Sequence, residues 1–214
     1  AHNGVLFLDE LTEFRRRTLE VLRQPLEERN VTISRAHMSV TFPASFLLVA
    51  ALNPCPCGYF GDSRRSCSCA PQTVQNYLKK LSGPLLDRID LQVPVLSISY
   101  ETAMKNTQTD STEPLSERIA RAAQRQHARL GNGVWNGTMS AAALERYCVL
   151  TPKAEEVIRR AFDKLGLSMR GYHKVLRVAR TIADLEGVDT LTDAHISEAL
   201  MYRSIDHTLQ QQRL

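Results

Sequence analysis

The 214-residue sequence has no long apolar run. A helix that crosses a membrane needs about 20 consecutive apolar residues, and no segment approaches that length. The chain also lacks an apolar secretory leader, and it opens with Ala-His-Asn-Gly rather than an initiator Met. We therefore expect no membrane partner, and we expect the chain to be part of a longer protein.

The sequence has only a small excess of positive charge and few cysteines. Lys and Arg number 27 against 23 Asp and Glu, so the net charge of +4 does not by itself indicate a nucleic-acid partner. Five cysteines are too few for a secreted disulfide scaffold of this length, which favours a reducing, cytoplasmic location. Any binding function must therefore depend on local clusters of residues.

Short apolar runs predict three strands of a parallel sheet that is buried on both faces. They are residues 5–8, 46–52 and 91–96. A helix over 14–29, perturbed at Pro25, follows the first run. Alternating residues around a polar tip at 34–38 then predict a β-hairpin.

The second half of the chain has helical periodicity and helix-capping residues. A polar stretch at 107–114 marks a boundary. The sequence therefore predicts an α/β part at 1–98, a linker with one helix at 99–138, and an all-α part at 139–214.

Polar residues stand where the predicted strands end or begin. Asp9 and Glu10 follow the first strand, Asn53 follows the second, and Arg88 precedes the third. Carboxylates at the end of a buried strand suit a metal bound to phosphate, and Arg suits a transferring phosphoryl group. Taken singly, each also fits a plain alternative: an exposed acidic pair, a turn residue or a surface ion pair.

Four of the five cysteines lie within residues 55–69. Cys55, Cys57, Cys67 and Cys69 form two Cys-x-Cys pairs with nine residues between them. Four thiolates so close in sequence could surround a Zn²⁺ ion, or they could remain four reduced thiols. The spacing leaves both alternatives open.

Several sequence blocks, taken in order, resemble the magnesium-chelatase-like group of AAA+ ATPases, and within it the bacterial ComM/YifB branch. The blocks are residues 4–11 (GVLFLDEL), 53–58 (NPCPCG), 82–91 (SGPLLDRIDL) and 177–185 (RVARTIADL). The resemblance implies a partial AAA+ parallel-sheet core followed by a C-terminal helical lid domain, with ATP and Mg²⁺ as ligands.

The resemblance also implies a role for each matching residue. It assigns Asp9 to the Mg²⁺ side of a Walker B motif and Glu10 to the activation of water. Asn53 matches sensor 1, and Arg88 matches an arginine finger that reaches the ATP of a neighbouring subunit. Arg170 matches sensor 2, which contacts the γ-phosphate from its own or a neighbouring subunit.

The implied activity is that of a ring-shaped homo-oligomer, a hexamer, which remodels single-stranded or branched DNA in uptake or recombination. Arg35 and His37 lie in a hairpin tip that resembles one pointing into the central channel, although an ordinary exposed turn fits equally. No Gly-x-x-x-x-Gly-Lys-Ser/Thr loop occurs, so we expect this chain alone to be inactive. Two alternatives are a chelatase-type motor subunit acting on a protein, and a zinc-stapled DNA-binding or assembly module without catalysis.

Overall fold

The computed structural model of the chain describes residues 1–35, 38–95, 97–105 and 112–203. These residues form two compact units, which meet in sequence at Ile89 and Asp90. The first, with strands and short helices, is called the α/β unit, and the second is called the helical unit. A mixed α/β fold with a helical C-terminal part is therefore confirmed.

None of the helices in the described part of the chain is both long and apolar enough to span a bilayer.

Four strands form two small sheets in the α/β unit. They are β1 (Val5–Leu8), β2 (Asn30–Arg35), β3 (Met38–Pro43) and β4 (Leu47–Ala50). Strands β1 and β4 pair in parallel, with Val5 opposite Leu47 and Leu8 opposite Ala50. Strands β2 and β3 form an antiparallel hairpin. The predicted first two sheet strands and the hairpin are thus confirmed.

The prediction that the parallel strands are covered on both faces is wrong for the described residues. Val5 and Phe7 are each 59% exposed. Their partners across the ladder, Leu47 and Val49, are exposed on the same face. Side chains alternate between the two faces of a strand, so one whole face of this two-stranded sheet is apolar and open among the described residues.

The predicted third strand at 91–96 is also wrong for its described part, 91–95. The backbone there makes only an isolated bridge, between Gln92 and Arg203. A strand requires a neighbour along its length, and Pro94 removes one of the donors that a ladder would use. Val93 and Val95 are therefore exposed rather than buried in a sheet.

Four short helices complete the α/β unit. They are α1 (Arg16–Val21), α2 (Arg23–Glu28), α3 (Pro71–Leu78) and α4 (Gly83–Leu86). The predicted helix over 14–29 is two helices that meet at Leu22. Pro25 explains the break, because its missing N–H leaves the carbonyl of Val21, four residues earlier, without a helical partner.

Six helices are described between Asp90 and Arg203. They are α5 (Tyr100–Lys105), α6 (Thr112–Leu130), α7 (Ala141–Tyr147), α8 (Pro152–Leu165), α9 (Met169–Glu186) and α10 (Asp193–Met201). Ser140, Thr151 and Ser168 begin α7, α8 and α9 by accepting a backbone N–H three residues ahead. Residues 107–111 of the predicted boundary lie outside the described residues.

Helix α9 supplies the centre of the helical unit's core. Its residues Val175, Ala179 and Ala183 are buried at successive turns of one face. Helices α8 and α10 contribute Ile158 and Ile196 to the same apolar cluster. The core therefore depends on the 3.6-residue periodicity that the sequence shows in this region.

A buried carboxylate, Asp184, ties α6 to α9. Its oxygens accept from Arg129 at 3.0 Å and from the Asn136 side chain at 2.8 Å. Arg180 adds an ion pair at 3.2 Å, and Arg125 lies 3.8 Å away. Arg125 and Arg129 of α6 are therefore partly buried at this point.

Removing this carboxylate should destabilise the helical unit. Asp184→Ala would leave Arg129 and Arg180 without their shared partner, and breaking a buried ion pair costs about 3–5 kcal/mol. Urea unfolding of the purified chain should show that the free energy of unfolding falls by this amount. Asp189→Ala, which removes the exposed partner of Arg125, should cost about 1 kcal/mol or less. Equal losses of stability in the two variants would contradict this role of Asp184.

Candidate functional site

The polar residues that follow β1 and β4 lie at the same edge of the parallel sheet. Asp9 and Glu10 come directly after β1, and Asn53 comes three residues after the end of β4. The ladder continues to this edge, because the Ala51 N–H donates to the Leu8 carbonyl at 2.9 Å. Open α/β sheets bind ligands at this end of their strands.

A cleft of about 510 Å³ opens at this edge. Its lining residues are Glu10, Glu13, Asn53, Pro56, Tyr77 and Lys80. The structure thus brings two of the sequence-predicted residues, Glu10 and Asn53, into one cavity. Asp9 is not among the lining residues, but its Oδ1 accepts the backbone N–H of Glu10 at 2.9 Å.

Glu10 has a left-handed backbone conformation, with φ 48° and ψ 49°. This conformation is rare for residues other than Gly and Asn, and it costs about 1–3 kcal/mol. It ends β1 and turns the chain into the 3₁₀ turn Leu11–Glu13. The strained backbone thus belongs to a residue that lines the cleft.

Three cleft residues, Glu13, Tyr77 and Lys80, were not predicted from the sequence. The Lys80 ammonium donates to the Thr12 carbonyl at 2.8 Å and lies 3.9 Å from a Glu13 carboxylate oxygen. The Tyr77 hydroxyl accepts from the Thr12 hydroxyl at 2.5 Å. The i, i+3 spacing of Tyr77 and Lys80 was the available signal, since it places both on one side of α3 and its C-terminal turn.

Arg88 lies just after α4 and contacts other parts of its own chain. Its guanidinium donates to the carbonyls of Arg23 at 3.1 Å and Pro84 at 2.6 Å. It also pairs with the Glu27 carboxylate, which leaves its side chain 10% exposed. Its partner in this ion pair is a residue of α2.

Arg170 lies in the helical unit, in the first turn of α9, and is exposed. Two other cations of the same helix have partners within the chain. Lys174 is buried and pairs with Asp90, and Arg177 donates to the Met139 carbonyl at 2.6 Å. Burial lowers the pKa of Lys174, while the Asp90 carboxylate opposes this shift.

The hairpin residue Arg35 is exposed at the end of β2, where it pairs with Met38 of β3. Hydroxyl pairs across the strands support the hairpin, with Thr32 and Thr41 oxygens 2.9 Å apart. His37, the other predicted nucleic-acid contact, lies outside the described residues. The structure therefore places Arg35 on the surface beside the hairpin tip.

The four clustered cysteines lie together in the loop between β4 and α3. Their sulfur atoms are all within 4.8 Å of one another, and all four thiols are free. Backbone N–H groups of Tyr59 and Ser68 lower the pKa of the Cys57 thiol to about 5. The fifth, Cys148, lies in the helical core, where burial raises its pKa to about 11.

Comparison with protein families gives two matches that follow one another along the chain. The family described as "Magnesium chelatase, subunit ChlI" matches residues 1–103. The family described as "Magnesium chelatase, subunit ChlI C-terminal" matches residues 109–203. The second match begins within the polar stretch at 107–114.

Comparison with individual proteins points to the same group. Competence protein ComM of Haemophilus influenzae is 42% identical over 98% of this chain and 41% of its own length. YifB of Salmonella typhimurium is 39% identical, also over 98% of this chain and 41% of its own length. The DNA replication licensing factor Mcm6 of Drosophila melanogaster is 24% identical over 96% of this chain and 25% of that protein.

The chain thus spans less than half of the relatives that it matches. Its two halves nevertheless match two families that describe the same chelatase subunit, in the order that the sequence blocks indicated. The chain therefore belongs to the magnesium-chelatase-like group of AAA+ ATPases, within which it is similar to ComM and YifB.

Proposed function

We propose that this chain supplies the water-activating half of an ATP site in a cytoplasmic, ring-forming, hexameric motor that remodels single-stranded or branched DNA. One observation carries the proposal: Glu10 and Asn53, from the ends of two adjacent parallel strands, line one cleft. The phosphate-binding loop is not in this sequence, so the chain alone should not turn over ATP.

The side chains at the cleft fit the ligands of such a site. Asp9 and Glu10 offer hard carboxylate oxygens, which Mg²⁺ prefers, and both residues are exposed. When bound with ATP, Mg²⁺ would neutralise charge on the phosphates. Asp9 would hold the ion's shell, and Glu10 would orient a water molecule and accept its proton. The Asn53 amide would donate a hydrogen bond to that water or to a phosphate oxygen.

Two arginines complete the proposed site. Arg88 would stabilise charge on the transferring phosphoryl group of a neighbouring subunit. It would then exchange Glu27, its present partner, for phosphate oxygens. Exposed Arg170, at the start of α9, would act as sensor 2.

Association with DNA is proposed on two grounds. The relatives include a competence protein and DNA replication licensing factors. In the chain itself, Arg35 is exposed at the end of a regular hairpin, where an arginine can contact a phosphate.

Arg35→Ala should weaken binding to single-stranded DNA in the longer protein. Loss of one phosphate contact per chain should lower the salt dependence of log K by about 0.7 per contact. Fluorescence anisotropy over a salt series measures both affinity and slope. Arg29→Ala removes an exposed arginine at the start of the same hairpin and should leave the slope unchanged. A slope in Arg35→Ala equal to that of the native protein would contradict this role.

The name of the matched family favours a second candidate, a chelatase-type motor whose target is a protein. ATP turnover of the longer protein, measured with and without single-stranded DNA, distinguishes the DNA motor from the chelatase-type motor. The DNA motor predicts turnover that rises with DNA. Turnover that is indifferent to DNA but rises with a protein partner would favour the chelatase-type motor.

A further inference from the structure

The proposed ATP site makes no use of the four clustered cysteines. Their sulfur–sulfur distances are 3.3 Å for Cys55 and Cys57, 3.7 Å for Cys55 and Cys67, and 3.6 Å for Cys57 and Cys67. Cys69 completes a group that fits within 4.8 Å. Two residues from each end of a loop thus bring their sulfurs to one point.

These distances match the edges of a metal-centred tetrahedron. A zinc–sulfur bond of about 2.3 Å requires sulfur atoms about 3.8 Å apart at the corners. Disulfide sulfurs, by contrast, lie about 2.05 Å apart. The arrangement is therefore that of four ligands around one ion, and it is not that of two disulfides.

We infer that Cys55, Cys57, Cys67 and Cys69 bind one structural Zn²⁺ ion. The ion closes the loop between β4 and α3 and, through that closure, holds the two walls of the ATP cleft in place. The closure has this effect because the ligands stand beside the cleft in sequence: Asn53 and Pro56 flank Cys55, and Tyr77 lies on the helix that follows Cys69.

Packing around the sulfurs supports a structural role for the ion. Cys55 is fully buried against Val74 and Leu78 of α3, with Leu52 alongside. The loop itself adds little apolar mass beyond Phe60. A loop with so small a core needs another source of stability, and a closed zinc site provides one.

The loop backbone is shaped around the ligands. Gly58 and Gly61 have φ of +84° and +81°, a conformation that other residues rarely adopt, and they turn the chain directly after Cys57. The backbone N–H of Cys69 donates to the Cys67 sulfur at 3.4 Å. Such N–H donors commonly orient thiolate ligands and stabilise their charge.

The number and spacing of the sulfurs select the ion. Thiolates favour zinc and iron–sulfur clusters over magnesium or calcium. A two-iron cluster divides its four ligands between two iron atoms, whereas these four sulfurs share one compact group. Four thiolates around Zn²⁺ carry a double negative charge, and Arg64 and Arg65 in the same loop supply two positive charges.

Metal analysis of the purified chain tests the inference without nucleotide or DNA. Mass spectrometry of the metal content should find about one zinc ion per chain. Cys67→Ser combined with Cys69→Ser should lose it, while Cys148→Ser, at the cysteine outside the loop, should keep it. Zinc retained by the double variant, or iron in place of zinc, would overturn the inference.

Two measurements on the native sequence avoid any dependence on whether the variants fold. After zinc is exchanged for Co²⁺, the absorption spectrum should show sulfur-to-metal charge transfer and tetrahedral ligand-field bands. Trypsin should cut after Arg64 or Arg65 at least tenfold faster once the metal is chelated. A Co²⁺ spectrum without sulfur bands, or a cleavage rate that chelation leaves unchanged, would refute the proposed zinc site. Neither result depends on the ATP site, so the zinc proposal can fail while the ATP-site proposal stands, and the reverse.

Discussion

Glu10→Gln is expected to reduce ATP turnover by about 100-fold or more in a longer protein that joins this chain to its phosphate-binding loop, because positioned bases contribute about 10²–10⁴-fold. The amide keeps the size of the side chain but cannot accept the proton of the attacking water. Binding of ATP should remain, since Asp9 still offers its carboxylate to Mg²⁺. Phosphate release and equilibrium nucleotide binding, measured on the same preparation, report the two quantities.

Glu13→Gln is the matched control for this prediction. It makes the same chemical change in a residue that lines the same cleft, but Glu13 follows the left-handed turn and lies beside Lys80. Its turnover should stay within about threefold of the native value, since it is given no part in proton transfer. Equal losses in both variants would mean that cleft charge, and not proton transfer, controls the rate.

Arg88→Ala is expected to reduce ATP turnover by as much as Glu10→Gln does, or by more. Arginine fingers contribute about 10³–10⁵-fold to turnover, and this substitution removes the guanidinium without changing Glu10 or Asn53. ATP binding to a single subunit should change little. Steady-state turnover and nucleotide affinity of the longer protein provide the measurement.

The contacts of Arg88 within its own chain require a second comparison. The alanine variant also removes the ion pair with Glu27 and two hydrogen bonds to carbonyl groups. Glu27→Gln breaks the same ion pair but retains the arginine, so it should keep most of the turnover. If Glu27→Gln were as inactive as Arg88→Ala, the role of Arg88 would be structural. Thermal unfolding of both variants shows whether either has lost its fold.

Local patterns were sufficient to predict the elements that form the edge of the sheet. Residues 5–8 and 46–52 are apolar runs that end in polar side chains, and the structure pairs them as β1 and β4. The hairpin followed from alternation over 31–41. In each case the signal lies within a few neighbouring residues, which is where sequence periodicity is informative.

Features that depend on distant partners could not be predicted in this way. Residues 91–95 have strand-like composition, but a strand forms only beside another strand. Glu27 and Arg88 are 61 residues apart in sequence. Tyr77 and Lys80 line the cleft together with Glu10, which is far from them in sequence. Such pairings are properties of the folded chain as a whole.

In the proposed ring, the carboxylates of one copy and the Arg88 guanidinium of another act on the same ATP. Mixing the two inactive proteins, Glu10→Gln and Arg88→Ala, tests it most directly by measuring ATP turnover against the mixing ratio. In a ring of random composition, an equal mixture regains up to about one quarter of native turnover, because that share of interfaces has both groups intact. Turnover that stays at the level of the separate variants at every ratio would contradict the claim.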